Sequence, residues 1–145
     1  MIDPLRITFD VACAPDRAFE LWTAHTSMWW PKSHTVSARA DLEVVIEPCV
    51  GGRIYERTAD GEEHDWGQVT GWNPPSSISY IWHLRQDRAD ASEVEITFAA
   101  DESGGSRVSI EHRGWDALGA RGAGQRELNQ RGWTHLLPHF QAAAR

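Results

Sequence analysis

Two side chains in this sequence stand where they could handle protons. Glu56, in "GGRIYERT", alternates with Ile54 along a strand-like run and can face the same interior. A carboxylate in an apolar cavity is costly unless paired, and such positions are often functional. The competing arrangement turns Tyr55 inward and leaves Glu56 in water; Arg53 and Arg57 take the face opposite Glu56 in a regular strand. His112, in "RVSIEHR", shares a face with Val108 and Ile110. A buried imidazole must find partners and can be donor or acceptor. It is either a core histidine bonded to a neighbouring strand or Trp115, or a polar group that orients a ligand. Glu56 and His112 can act as an acid–base pair only if both reach one cavity.

Other chemistry is poorly supported. His135 and His139 are four apart, a spacing that can bind metal on a helix, but Pro138 disturbs it and no third ligand is suggested. No metal site is expected. No G-x-S-x-G, P-loop, G-x-G-x-x-G or C-x-x-C occurs, so no cofactor is expected either. Cys13 and Cys49 read as free, half-buried thiols.

The chain has 145 residues, the size of a single domain over 1–145. Its net charge of −7 and single lysine, Lys32, argue against nucleic acid as a partner. No apolar run approaches the ~20 residues of a membrane span, and no signal-peptide pattern opens the chain, so cytoplasmic residence is expected. Eight tryptophans are the compositional outlier. They suit either a Trp-rich core or a cavity walled by aromatics.

The elements that must position these residues follow from periodicity. "LRITFDVAC" alternates as a strand, and "APDRAFELWTAH" reads as a short helix with Pro15 in its first turn. A second short helical turn carries Trp29 and Trp30, ended by Pro31. From Leu42 six strands follow, separated by turn signals such as Asp60-Gly61. A helix over Gln125–Ala144 closes the chain, with Trp133, Leu136, Leu137 and Phe140 as one apolar stripe and a kink expected at Pro138. One antiparallel sheet with one apolar face, and one long helix to cover it, implies an α+β grip.

The ordered segments "APDRAFELWT", "WWPKSH", "GGRIYERTADGEEHDWGQVTGWNPPSSISYIW", "SEVEITF", "GGSRVSIEHRGW" and "RGWTHLL" resemble the START-like (SRPBCC) superfamily. Within it they are similar to proteins related to the activator of the 90-kDa heat-shock-protein ATPase. The resemblance runs over nearly the whole chain. It implies the helix-grip fold shared with birch-pollen-allergen-type proteins: a curved antiparallel sheet wrapped around a long C-terminal helix, with two short helices after the first strand. Such families include lipid carriers, hormone receptors, polyketide aromatase/cyclases and co-chaperone domains, and fold alone does not choose among them. The resemblance covers the single START-like domain and not the additional N-terminal domain of eukaryotic activators, so a full co-chaperone role is not expected.

These observations set three expectations. The first is binding of a small, mostly apolar or aromatic molecule between sheet and helix, with binding favoured over catalysis. Sheet positions Ile54, Val69, Tyr80, Trp82, Ile96, Phe98 and Ile110 would line that cavity. Trp133, Leu137 and Phe140 would line it from the helix, with Glu56 and His112 as its polar groups. Trp30 would stand at the mouth, and Pro31 to Asp41 would move as a lid. The second is a cyclase- or hydrolase-type enzyme using Glu56 and His112. The third is a co-chaperone-like interaction module, with a chaperone partner, a filled interior and an exposed apolar patch; a homodimer is compatible with each.

Overall fold

Alternation of buried and exposed side chains builds the sheet, most regularly over Ser92–Ala100 and Ser106–Arg113. In the computed structural model, which describes residues 1–145, the strands are β1 (Leu5–Val11), β2 (Glu43–Ile46), β3 (Arg53–Arg57), β4 (Glu63–Asn73), β5 (Ser77–Trp82), β6 (Ser92–Ala100) and β7 (Ser106–Arg113). They form one antiparallel sheet in the order β1-β7-β6-β5-β4-β3-β2. Val94, Ile96 and Phe98 of β6 and Val108, Ile110 and His112 of β7 are all buried, as a period of two requires. The register pairs Ile96 with Ile110 and Val94 with His112.

The sheet is curved, and its irregularities are local. Register shifts fall between Ile54 and Tyr55 and between Val69 and Gly71. Such bulges bend the strand that carries them. Gly67 lies between them where β4 meets β5: a Cβ there would stand 2.0 Å from the Ile81 carbonyl oxygen, so no other residue fits.

Helix α1 (Pro15–Thr23) follows β1, and α2 (Gly122–Ala143) ends the chain. Trp133, Leu136, Leu137 and Phe140 are its buried stripe. Pro138 sits inside α2 without ending it. No helix is long and apolar enough to cross a membrane.

The Trp29–Trp30 pair is placed differently from expectation. A 3-10 turn at Thr26–Met28 precedes it, and both indoles are only 5% exposed. Because this backbone is irregular, adjacent side chains are not forced to opposite faces. Trp29 packs on Trp22 at 4.8 Å and Phe140 at 5.0 Å, and Trp30 on Trp66 at 5.0 Å. Their indole N–H groups donate to the Leu21 carbonyl at 3.0 Å and the His34 carbonyl at 2.8 Å. Trp30 is therefore a core residue, not a rim residue.

The segment after it is fastened. The Glu56 carboxylate accepts from the Val36 N–H at 2.6 Å, the Ser37 N–H at 2.9 Å, the Ser37 hydroxyl at 2.6 Å and the Trp66 indole N–H at 2.7 Å. Arg85 donates to the carbonyls of Thr35 at 2.8 Å and Ser33 at 2.9 Å. A free lid over Pro31 to Asp41 is not what these bonds describe.

Candidate functional site

The space between sheet and helix is filled rather than hollow. Ile54, Val69, Tyr80, Ile96, Phe98, Ile110, Leu137 and Phe140, expected around a deep cavity, pack in one core with Trp22, Trp29 and Trp66. A small space of about 10 Å³ lies at the edge of this core, bordered by Trp30, His34, Trp82, Asn129, Gly132, Trp133 and Leu136.

The principal cavity lies at the end of this core. β5 stops at Trp82, and the chain turns through His83–Gln86, where the Gln86 N–H donates to the His83 carbonyl at 2.7 Å. It then makes a 3-10 turn at Arg88–Asp90 and returns as β6 at Ser92. This connection stands away from the first turns of α2. Trp115 and Leu118, on the turn before α2, floor the gap. The resulting cavity holds about 340 Å³ and opens to solvent, in the lower part of the usual ligand-site range.

Its lining divides into two sides. Trp82, Leu84, Trp115, Leu118 and Leu128 present apolar surface. His34, His83, Arg85, Gln125, Asn129, Arg131 and His135 present polar groups. Gly132 lets α2 approach the His34 ring, since a Cβ would lie 3.0 Å from its Cε1. Burial pushes His34 down to about 4, with the charges of Arg85 and His135 adding to the effect, so its ring is neutral at pH 7.

His83 is the unusual member. It is 6% exposed, and neither ring nitrogen has a protein hydrogen-bond partner. Nearly all buried polar side-chain atoms are paired, so such an exception calls for a reason.

His112 is buried one layer behind this cavity. Its Nδ1 accepts from the Trp133 indole N–H at 3.0 Å, and its Nε2 lies 2.6 Å from the Ser92 hydroxyl. Indole can only donate, so Nδ1 carries no proton and the neutral ring must carry it on Nε2. Nε2–H therefore donates to Ser92 Oγ, and Ser92 in turn donates to the Trp82 carbonyl at 3.3 Å. Burial pushes His112 down to about 3, consistent with a neutral ring. In this state His112 cannot take the Ser92 proton, which rules out a Ser–His nucleophile here.

Glu56 does face inward, and Tyr55 is buried as well. Tyr55 lies on the opposite face under the Arg53 guanidinium, 4.1 Å from its ring centroid. Burial alone would raise the Glu56 pKa, but Ser37, the Val36 and Ser37 N–H groups and Trp66 outweigh it and hold the carboxylate low. Glu56 and His112 sit four strands apart in the sheet, and each is bonded to its own partners, with none shared. They do not form an acid–base pair.

Of the residues expected to meet a ligand, only Trp82 lines the principal cavity, while Trp30 and Trp133 reach the small space beside it. Sequence reading missed His34, His83, Arg85, Asn129 and Arg131. His135 and His139 are both exposed, and His135 borders the cavity.

Residues 12–145 match the family described as Activator of Hsp90 ATPase homolog 1-like protein. Among solved structures, an anthrahydroquino-Gama-pyrone synthase, Txn09, complexed with SUM, is 37% identical, covering 77% of this chain and 76% of its own, with a TM-score of 0.55. The self-sacrificing resistance protein CalC from Micromonospora echinospora is 30% identical over 98% of this chain and 94% of its own, with a TM-score of 0.73. The Aha1 dimer from Colwellia psychrerythraea covers 99% of this chain and 96% of its own at 14% identity and a TM-score of 0.68, a likeness in fold alone. No curated protein matches the chain.

Proposed function

This chain belongs to the Activator of Hsp90 ATPase homolog 1-like family, and from that premise we propose that it binds a flat, mostly apolar small molecule in the cavity between the β5–β6 connection and α2. The cavity itself carries the proposal: about 340 Å³ of open space walled by Trp82, Trp115 and three leucines, beside a filled core. Apolar walls with a few placed polar groups are how small-molecule sites are built. The 37% identical structure is named for an anthrahydroquino-pyrone synthase, which directs the ligand class toward fused rings carrying oxygen.

An enzyme acting on such a molecule is the second reading. His83 is the observation that favours it, since an imidazole lining the site has neither ring nitrogen engaged by the protein. An interaction module has less support. The exposed large apolar side chains Met1, Met28, Val36, Val50 and Leu128 come from separate segments of the chain.

Titration with 2-naphthol, followed by tryptophan fluorescence, tests binding. Saturable quenching at one site per chain is expected. It should be lost in Leu118→Trp, which fills the cavity from a half-buried position. Unsaturable quenching, or unchanged affinity in that variant, would overturn the proposal.

A further inference from the structure

The charges around the cavity run against those of the whole molecule. The chain carries 21 acidic residues and 14 basic ones. The cavity lining has two arginines, Arg85 and Arg131, and one acid, Asp90. Asp90 is already held by the Arg121 guanidinium at 2.8 Å, outside the cavity. Arg85 is fixed by bonds to two backbone carbonyls, which orient its charge without cancelling it. Arg131 takes part in no ion pair.

His83 adds an independent observation. The residue lines the cavity, and both of its ring nitrogens are buried just beneath that surface without protein partners. Leaving them unpaired is unfavourable, and a ligand oxygen accepting from the ring N–H would remove that cost. Histidine χ2 is a broad torsion, so a modest ring rotation can present that N–H. A negatively charged oxygen is the acceptor that Arg131 and His83 would both favour.

Resting on the ligand-binding reading above, we propose that the cavity selects flat aromatic molecules bearing an ionised acidic oxygen, which Arg131 and His83 meet while the rings lie on the tryptophan–leucine side. The rings supply apolar burial, and the charge supplies discrimination. A neutral isostere keeps the first and loses the second.

The test compares 2-naphthoate with 2-naphthamide by isothermal titration at pH 7.5, in low and high salt, on the full chain and its Arg131→Gln variant. The acid should bind at least ten-fold more tightly than the amide. That preference should shrink several-fold in high salt and in Arg131→Gln. Equal binding of acid and amide would overturn the charge selection and leave the ligand-binding reading standing. A preference unchanged in Arg131→Gln would overturn the role given to that arginine. Binding of neither compound would overturn the ligand-binding reading itself, and this inference with it.

Discussion

Trp133 donates its indole N–H to His112 Nδ1 across 3.0 Å, and that bond decides where the imidazole keeps its proton. The proton sits on Nε2, facing Ser92, and a histidine that looks poised for catalysis becomes a structural strut. Nitrogen chemical shifts of His112 should report the neutral Nε2–H tautomer at pH 7. In Trp133→Phe the tautomers should mix. A protonated Nδ1 in the wild-type protein would contradict this assignment.

Stability should fall in mild acid. His112 and His34 are held neutral in the native state, with pKa values pushed down by burial to about 3 and about 4. The unfolded chain takes up both protons near its ordinary value of 6.5. Their contribution is therefore complete above that pH and is lost as acid descends toward the native values. The slope for His112 approaches about 1.4 kcal/mol per pH unit. His34, only half-buried, adds less. Urea midpoints at pH 7.5, 6.0 and 5.0 should decline steadily, and a flat series would contradict this account.

Trp30→Ala should cost about 3–5 kcal/mol, the usual loss for a truncated core aromatic. The indole is 5% exposed and packs against Trp66 and Trp82. Thermal unfolding checks the value. A loss well below it would return Trp30 to a rim.

Glu56→Gln should loosen the segment at Val36 and Ser37. The carboxylate holds both backbone N–H groups and the Ser37 hydroxyl, and bonds to a charged acceptor are worth about 1.5–3 kcal/mol. Hydrogen exchange at the Val36 and Ser37 amides should accelerate while amides of β6 and β7 keep their rates. Unchanged exchange at Val36 and Ser37 would show that Glu56 is not the fastening.

The regular elements were legible in the sequence because their burial is periodic. Alternation along β6 and β7, the Asp60-Gly61 hairpin and the Trp133-to-Phe140 stripe each found their place. The Trp29–Trp30 pair was not legible, because a 3-10 turn re-aims the backbone just before it and no period applies there. His83 was hidden for a related reason: β5 ends at Trp82, so alternation no longer sets the direction of the next side chain. The cavity side of α2 did leave a signal. Gln125, Leu128, Asn129, Gly132 and His135 recur at helical spacing beside the apolar stripe, and they line the site together. Large inward-facing residues suggested a hollow core, but eight indoles are enough to fill one.

His83→Leu should leave the fold as stable as before, or raise its unfolding midpoint by a few degrees. Two buried nitrogens without partners are removed, and apolar surface replaces them. A marked fall in the midpoint would mean that the ring is paired in solution.

The most direct test of the ligand site is a map of where an aromatic molecule binds. Amide and indole N–H shifts of the isotope-labelled chain, followed during titration with 2-naphthol, supply it. The account predicts saturable shifts concentrated at Trp82–Ser92, Trp115–Leu118 and Gln125–His135, with the Trp82 and Trp115 indoles among the largest. Shifts confined to the outer face of the sheet, or no saturable shift at all, would contradict it.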